Sequence, residues 1–336
     1  MSFIFSFLYN VISAALEYQI VTFVLSLGIA AVIISHARSA QTICDLCNTT
    51  ENNLNIIPRS SSSSSSALGR LNNNFDYGLD RGPHTWCCSK SNQSPINIID
   101  EYVHKFAIRE LLTWNYYDDL PTTVEIENNG RTVILRACFS GDAPTLRGAN
   151  LLANYTFVEI RFRWSAINSE GSEHMVNYRK FPLELQAMHR TGPSGDSPSS
   201  YDTLIVAYFF EISANNPYLN PVVQHLHRIQ RSGTKSEIPP FPLSYLCHQF
   251  RTGFYSYAGS LTEPPCYQGA EWFIFPEPLA ISEPQLYEFR QMLCPDGNTR
   301  IVRNARPVQS IGCSRVVNLN QYNSIDACNI PESSIC

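Results

Sequence analysis

The sequence predicts a β-dominated domain of the α+β class, and three observations carry that prediction. Short runs of alternating apolar residues recur after about residue 75, such as TVEIENN, FVEIRFRW and LIVAYFFEI. Turn-forming segments separate them, among them Asn129-Gly130 and the stretch 192–200. Helical periodicity is confined to 219–230 and 283–293, the second starting after the N-cap residue Ser282. Such short alternating runs between turns are typical of half-buried strands, so we expect one sheet with few helices.

The run FVEIRFRW at 157–164 is the clearest strand signal and raises a question about function. Successive side chains of a strand point to opposite faces, so this strand has one apolar and one charged face. The apolar face holds Val158, Ile160, Phe162 and Trp164, and the charged face holds Glu159, Arg161 and Arg163. The charged face belongs either to an ordinary surface strand or to a site where other residue types would do chemistry.

Composition excludes one function class. The chain has 336 residues, a formal net charge of −5 and a pI of about 5.9. Because the chain contains no block of Lys and Arg, it offers no basic surface of the kind that attracts nucleic acid. A content of 44% hydrophobic and 12% aromatic residues fits a large β-rich core.

The cysteines indicate an oxidising compartment. There are eleven, spread from Cys44 to Cys336, with none in the first 43 residues, as expected of a secreted chain. The number is odd, so at least one thiol is free or bonds another molecule, and we expect this to be Cys336. The pair Cys44 and Cys47 has no second CxxC partner, which favours local or separate disulfides over a zinc ribbon.

The residues before the domain divide into two segments. Residues 1–40 are predicted to be a signal peptide or membrane anchor, because 19–35 is apolar and close to the shortest length that spans a bilayer. Arg38 favours a cytosolic side for the residues after it, but the cysteines favour the opposite side, so we predict a secreted or membrane-tethered protein. Residues 41–74, rich in Ser and Asn, are predicted to be a flexible linker. Glycosylation sequons at Asn48 and Asn154 agree with this location.

Five motifs together resemble the α-carbonic anhydrase family. In chain order they are YGLDRGPHTW (77–86), QSPINI (93–98), GSEH (171–174), YAGSLTEPPC (257–266) and Trp272. The resemblance implies a single domain over 75–319 and a Cys-containing tail at 320–336. It further implies a large, twisted, mostly antiparallel sheet of about ten strands with short peripheral helices. In the family, a catalytic zinc lies at the bottom of a conical cavity.

The residues that match the family's metal positions do not suit a metal. The family holds zinc with three histidines, two on one strand and one on its neighbour, and the matching residues here are Arg161, Arg163 and Gln186. Arginine stays protonated and offers only donors, and a glutamine amide is a poor ligand beside imidazole. Arg131 stands at the family's proton-shuttle histidine. The resemblance therefore implies a chain without a zinc cofactor and without carbonate dehydratase activity.

Other site positions keep the family's residue types. Glu173 and Thr262 match the pair that orients the zinc-bound hydroxide, and Glu184 matches the carboxylate behind the third histidine. Trp272 and Val206 match the apolar wall that holds the small substrate. This combination resembles the acatalytic carbonic anhydrase-related branch of the family.

The histidines do not indicate a second metal site. His225 and His227 are two residues apart in a stretch that is predicted to be helical, where their rings would point about 200° apart. His174 and His189 are expected to be hydrogen-bonded structural residues.

Two interpretations of the cavity remain open. Buried guanidinium groups need counter-charges, so the first is a polar network that fills the former metal site, formed by Glu159, Arg161, Arg163, Glu173 and Glu184. The second is a pocket for an anion or a glycan, formed by Arg161, Arg163 and Arg131.

The resemblance also implies a disulfide and a partner. Extracellular family members join the positions of Cys88 and Cys266. Secreted acatalytic relatives associate with neurexin-type receptors, whereas a cytosolic relative binds an inositol trisphosphate receptor. The cysteines and the apolar N-terminus favour the secreted type, so we expect a protein-binding module with a neurexin-like cell-surface receptor as partner. Residual zinc hydrolase activity and a purely structural extracellular role are the alternatives.

Overall fold

The computed structural model describes residues 75–88, 91–191, 202–312 and 315–322. The strands in these ranges are β1 Asn97–Ile98, β2 His104–Ile108, β3 Thr113–Asn115, β4 Thr123–Asn128, β5 Val133–Cys138, β6 Thr145–Arg147, β7 Tyr155–Trp164, β8 Met175–Val176, β9 Leu183–Thr191, β10 Thr203–Ile212, β11 Thr234–Ile238, β12 Phe254–Ser260, β13 Gln268–Ile274, β14 Leu279–Ile281 and β15 Asn318–Tyr322. The α-helices are α1 Asn220–Val223 and α2 Glu283–Phe289. Short 3-10 helices occupy Pro83–Thr85, Asp100–Tyr102, Asn168–Glu170, Pro217–Leu219, Leu226–Ile229 and Leu243–Tyr245.

One large mixed sheet dominates the described residues and confirms the predicted fold class. Its main order is β11-β4-β5-β7-β9-β10-β13-β12-β15-β2, and β14, β3 and β6 bring it to 13 strands. Most neighbours run antiparallel, while β10 pairs in parallel with β13 and β14, and β15 pairs in parallel with β2. Strands β1 and β8 form a separate parallel pair.

Hydrophobic cores cover both faces of the sheet. The back core includes Ile160 and Phe162 of β7 and receives Leu226 and Phe289 from the helical segments. The front core, on the other face, includes Met188 and Trp272 and is smaller. Successive side chains of a strand point to opposite faces of the sheet. Along β7 and along β9, the residues that alternate with the back-core residues therefore point towards the front core.

The predicted alternation of β7 is wrong at Val158. A β-bulge shifts the register with β9 between Phe157 and Glu159, and a bulge inserts one residue that has no partner on the neighbouring strand. Val158 is consequently 38% exposed instead of facing the core, while Ile160, Phe162 and Trp164 are buried as predicted.

The two helical predictions have different outcomes. The helix after Ser282 is present as α2, with a capping box between Ser282 and Gln285. The stretch 219–230 is instead broken into α1 and flanking 3-10 turns. Here the His225 backbone N–H bonds the carbonyl of Val222, three residues back, while the His225 ring bonds the carbonyl of Pro221. These bonds tighten the chain into a 3-10 turn instead of continuing an α-helix.

Several of the predicted segments lie outside the described residues. Segments 1–40 and 41–74, residues 323–336, Asn48 and five cysteines (Cys44, Cys47, Cys313, Cys328 and Cys336) lie outside the described residues. The domain continues past the predicted boundary at 319, because β15 pairs with both β12 and β2 and ends at Tyr322. No helix in the described ranges is long and apolar enough to cross a bilayer.

Candidate functional site

The charged face of β7 forms the floor of a small cavity on the front of the sheet. Arg161 lies opposite Gln186 of β9 in the strand register, and Arg163 lies opposite Glu184. The cavity has a volume of about 160 Å³, and Arg161, Arg163 and Gln186 line it together with the loop residues Thr262 and Glu263. The resemblance implied that this charged face is a cavity floor and not a surface face, and the structure places its arginines there.

Arg163 is the most enclosed charge of this floor. Its side chain is 1% exposed, and its Nη1 lies 2.8 Å from Glu263 Oε1. Nη1 also donates to the Tyr77 hydroxyl at 2.9 Å, and Nε donates to Gln186 Oε1 at 3.2 Å. Glu173 Oε2 lies 3.5 Å from Nε. Burial alone would lower the pKa of Arg163, but Glu173, Tyr77 and Glu263 outweigh it and raise the pKa, so the guanidinium keeps its proton.

Arg161 lies between two carboxylates. Its Nε donates to Glu159 Oε1 at 2.7 Å, and its Nη1 donates to Glu263 Oε2 at 2.6 Å. Glu159 also pairs with Arg136, which pairs in turn with Glu127. Attraction to Glu263 is the main reason that the pKa of Arg161 is raised, against the opposing effect of burial.

Alternating charges thus form one continuous chain from the sheet surface to the buried floor. We call this set the arginine–carboxylate network, and its members in order are Glu127, Arg136, Glu159, Arg161, Glu263, Arg163 and Glu173. The side chain of Arg136, near the outer end, is 39% exposed, whereas those of Arg163 and Glu173 at the inner end are 1% and 0% exposed. Each buried charge has an opposite charge within 4 Å, which is the condition under which charged groups are tolerated in an interior.

Gln186 connects this network to Glu184 and to the groups that bond Glu184. Its Nε2 donates to Glu173 Oε2 at 2.7 Å and to Glu184 Oε1 at 2.8 Å. Glu184 accepts the backbone N–H groups of Glu173 and His174 and pairs with the His174 ring at 2.9 Å. Glu184 lies opposite Arg163 and belongs to the predicted polar network, but Gln186 connects it to that network, because the His174 ring and two backbone amides also occupy its oxygens.

Two members of the site were missed by sequence reasoning. Glu263 links both arginines, and burial would raise its pKa, but Arg161 and Arg163 outweigh burial and lower the pKa to about 2. Tyr77 caps Arg163 from the other side. Both residues lie inside motifs that we used for the resemblance, LTEPPC and YGLD, so the signal was present but was not assigned a role.

The remaining predicted positions divide between the site and other places. Thr262 lies on the cavity wall. Trp272 is not among the described residues that line the cavity; it packs in the front core, with its ring 4.6 Å from that of His174. The placement of Val206 on the cavity wall is wrong: it packs in the back core, and Ile205 lines the cavity instead. A shift of one residue along a strand moves a side chain to the opposite face.

Arg131 does not join the other arginines at the floor. It stacks over the Phe75 ring at 4.3 Å and lines a separate cavity of about 690 Å³. The predicted grouping of Arg131 with Arg161 and Arg163 in one pocket is therefore wrong.

The structure describes several histidines and cysteines for which the sequence predicted a role. His189 is buried and bonds the Tyr117 hydroxyl, and burial lowers its pKa to about 4. The disulfide Cys88–Cys266 is present, with Cα atoms 5.4 Å apart. The other cysteines that the structure describes are free thiols, namely Cys87, Cys138, Cys247 and Cys294. Asn154 is exposed in the loop before β7, so its glycosylation stays a prediction.

Comparison with known proteins establishes the family. The sequence profile of eukaryotic-type carbonic anhydrases matches residues 81–321. The chain belongs to this family. It is 31% identical to "Putative carbonic anhydrase 5" of Caenorhabditis elegans over 255 residues, which cover 72% of this chain and 80% of that protein. It is 30% identical to carbonic anhydrase 7 of Homo sapiens over 250 residues, which cover 70% of this chain and 94% of that protein.

The site does not fit the metal that a carbonic anhydrase fold implies. Zinc in a catalytic site needs three electron-pair donors in tetrahedral geometry and an open fourth position. The matching positions here hold two permanent cations and an amide whose oxygen already accepts from Arg163. Within the described residues, no group of three or more His, Cys, Asp or Glu side chains is arranged to hold a metal. His227 is exposed, and the His225 ring bonds a backbone carbonyl.

Proposed function

We propose that this chain is a carbonic anhydrase-fold protein that neither binds zinc at the family's site nor hydrates CO₂, and that it acts by binding another protein. The observation that carries the proposal is the position of Arg163. Its guanidinium is almost fully buried and contacts Tyr77, Gln186 and Glu263. A divalent ion at this point would have to displace a cation whose pKa the surrounding groups raise.

The proposed protein-binding role rests on what the resemblance implies. The chain's cysteine count, its apolar N-terminus and its likeness to secreted acatalytic relatives support an extracellular module with a neurexin-like receptor as partner. Capture of such a receptor ectodomain by the secreted chain, measured by surface plasmon resonance, tests this part. An inositol trisphosphate receptor fragment serves as the comparison, and preferential binding to that fragment would contradict the extracellular assignment.

Zinc content and CO₂ hydration of the purified chain test the central proposal. After dialysis against a trace of zinc, we expect fewer than about 0.1 zinc per chain and a hydration rate equal to that of buffer, because arginines donate and do not ligate. Stoichiometric zinc together with hydration above the buffer rate would refute the proposal and support residual hydrolase activity.

A quadruple variant is the matched control. Arg161→His, Arg163→His, Gln186→His and Glu263→Gln together remove the cations and supply three imidazoles. We expect this variant to bind zinc under the same dialysis, which would show that the scaffold still allows the geometry and that the side chains alone exclude the metal.

An anion or glycan site is the weaker alternative. Arg161 and Arg163 line the cavity, but Glu159 and Glu263 already neutralise them at 2.6–2.8 Å. The 160 Å³ cavity also contains the Glu263 carboxylate on its wall. An incoming anion would have to compete with a carboxylate whose pKa is about 2.

A further inference from the structure

A second cavity opens on the opposite face of the sheet from the arginines. Its volume is about 360 Å³, and it lies among β2, β12, β13, β15 and the loop at 149–152. Apolar and aromatic side chains form much of its wall, including Phe106, Leu152, Tyr155 and Phe273. Phe273 belongs to the back core, whereas its neighbour Trp272 faces the front. This cavity and the arginine site therefore share no face.

One carboxyl group, that of Glu271 on β13, lines this cavity. Burial raises its pKa to about 7, and no cation offsets that effect. The described residues that line the cavity include no Lys, Arg or His.

Asn320, which lines the cavity with Glu271, presents an acceptor to it. The Asn320 amide nitrogen donates to the Phe254 carbonyl at 3.2 Å and to Ser256 Oγ at 2.8 Å. The side-chain carbonyl oxygen of Asn320 therefore remains available to a ligand. Asn318 lines the same wall. Burial and the nearby charges of Glu271 and Asp202 raise the pKa of Tyr155, so the local field is negative.

We propose that this cavity binds a small organic ammonium ion, with Glu271 as its counter-charge and the apolar wall around its hydrocarbon part. A volume of 360 Å³ is at the lower end of small-molecule sites. Aromatic rings favour a cation near their faces, and an ammonium ion supplies the opposite charge that a half-buried carboxylate lacks. The inference goes beyond the proposed function and uses none of its residues.

Other ligand classes fit this cavity less well. An anion would meet the negative field of Glu271 and Asp202. Tight calcium sites gain affinity from several charged oxygen ligands, whereas Glu271 is the one carboxylate among the described residues that line this cavity, beside three asparagine amides and two hydroxyl groups. A neutral apolar molecule would leave the carboxyl group without a partner.

Calorimetric titration of the full chain with cyclohexylammonium tests the proposal. Cyclohexanol has the same shape without the charge and is the ligand control. Glu271→Gln is the test variant, and Glu277→Gln, an exposed residue six positions later, is the matched control for loss of one charge. At pH 8 we expect saturable 1:1 binding that is at least about tenfold weaker in Glu271→Gln and unchanged within about twofold in Glu277→Gln.

The pH dependence tests the same carboxyl group without a mutation. A group of pKa about 7 is ~90% ionised at pH 8 and ~10% ionised at pH 6, so affinity of the wild-type chain should fall about tenfold over this range. The amine stays protonated throughout. The raised pKa of Tyr155 keeps its hydroxyl protonated, and the lowered pKa of His189, about 4, keeps that ring neutral.

Three results would overturn the proposal. They are no saturable binding at pH 8, equal affinity for cyclohexanol, and equal affinity of Glu271→Gln. If Glu271→Gln does not fold, Phe106→Ala replaces it; because Phe106 is 46% exposed, this change removes one wall with little effect on the core. Amide shift changes on binding should cluster at 149–152 and 271, and a cluster at 161–163 would also contradict the assignment.

Discussion

At the scale of single residues, Arg163 decides the character of the site. The substitution Arg163→Met introduces an apolar side chain and removes the cation that Glu173 and Glu263 share. Both carboxylates stay buried. Removing one partner of a buried pair costs about 3–5 kcal/mol of unfolding free energy. We expect a loss of that size in urea denaturation at pH 7.

A surface pair gives the control for this prediction. Arg179 pairs with Glu211, and both side chains are largely exposed, at 59% and 43%. Arg179→Met should therefore cost about 0–1 kcal/mol. Adding Glu173→Gln to Arg163→Met should restore part of the lost stability, because Arg163 is the cation paired with Glu173 in the described residues, whereas Glu263 keeps its ion pair with Arg161. Equal effects of Arg163→Met and Arg179→Met would contradict the network.

Glu263 predicts how stability depends on pH. Its folded pKa of about 2 lies below the reference value of 4.5, so the unfolded chain binds this proton more readily. Its contribution, on the order of 3 kcal/mol, is present above pH 4.5 and is lost as pH falls towards 2. We expect the stability difference between wild type and Glu263→Gln to shrink over that window.

Another buried group must be separated from this effect. His189 is held neutral with a pKa of about 4 against a reference of 6.5, so wild-type stability also falls as pH drops through that higher range. Wild type and Glu263→Gln share this loss, so it cancels in the difference between their unfolding free energies. A difference that stays constant from pH 5 to pH 2 would show that Glu263 is not ionised against the arginines.

Sequence reasoning located the arginines because their positions follow from strand alternation and from the motifs. It missed Glu263 and Tyr77 because they reach Arg161 and Arg163 from 102 and 86 residues away. Such contacts depend on how loops fold over a sheet. It misplaced Val206 because LIVAYFFEI, which we counted among the alternating runs, is apolar at nearly every position, so its sequence does not show which of two adjacent residues faces the cavity.

At the scale of elements, the disulfide fixes the loop that supplies Glu263. It joins Cys88 to Cys266 across 178 residues, and Cys266 follows Glu263 by three positions. Closing so long a loop stabilises by about 5 kcal/mol on chain-entropy grounds. We expect the double variant Cys88→Ser, Cys266→Ser to lose stability of that order in denaturant unfolding.

A double-mutant cycle connects this element to the site. If the disulfide helps to hold Glu263 against the arginines, Glu263→Gln should cost less in the chain without the disulfide. Additive losses would show that the loop keeps its position independently of the disulfide.

The capping box of α2 offers a local test of the helix assignment. The Ser282 side chain accepts from the Gln285 backbone N–H, and the Gln285 side-chain oxygen accepts from the Ser282 backbone N–H. Ser282→Ala should cost about 1 kcal/mol, with Ser169→Ala on the surface as control. Equal unfolding midpoints for both variants would contradict the cap.

The elements were predictable to different degrees for physical reasons. Strands were found because apolar alternation reports a half-buried face directly. The bulge at Val158 was not found. A bulge inserts one unpaired residue, so the sequence still alternates between apolar and polar residues, although the side chains before the bulge now point to the opposite face. The helix at 219–230 was overestimated because local bonds at Pro221 and His225 tighten it into 3-10 turns.

At the scale of the whole molecule, the proposal of a zinc-free chain requires a sheet that is stable without a metal. Both cores close around the sheet, and paired charges fill the positions that match the family's metal ligands. A ligand that binds only the folded state raises the melting temperature, and its removal lowers it. We therefore expect excess 1,10-phenanthroline to leave the melting temperature unchanged within about 1 °C. A drop of several degrees would indicate a bound metal that contributes to stability.

The central claim is that a guanidinium occupies the place of the metal. Crystals grown with millimolar zinc and measured on both sides of the zinc absorption edge test it most directly. We predict planar guanidinium density for Arg163 between Tyr77 and Glu263, with no anomalous peak at the cavity floor. An anomalous peak there, with the Arg163 side chain displaced, would contradict the account.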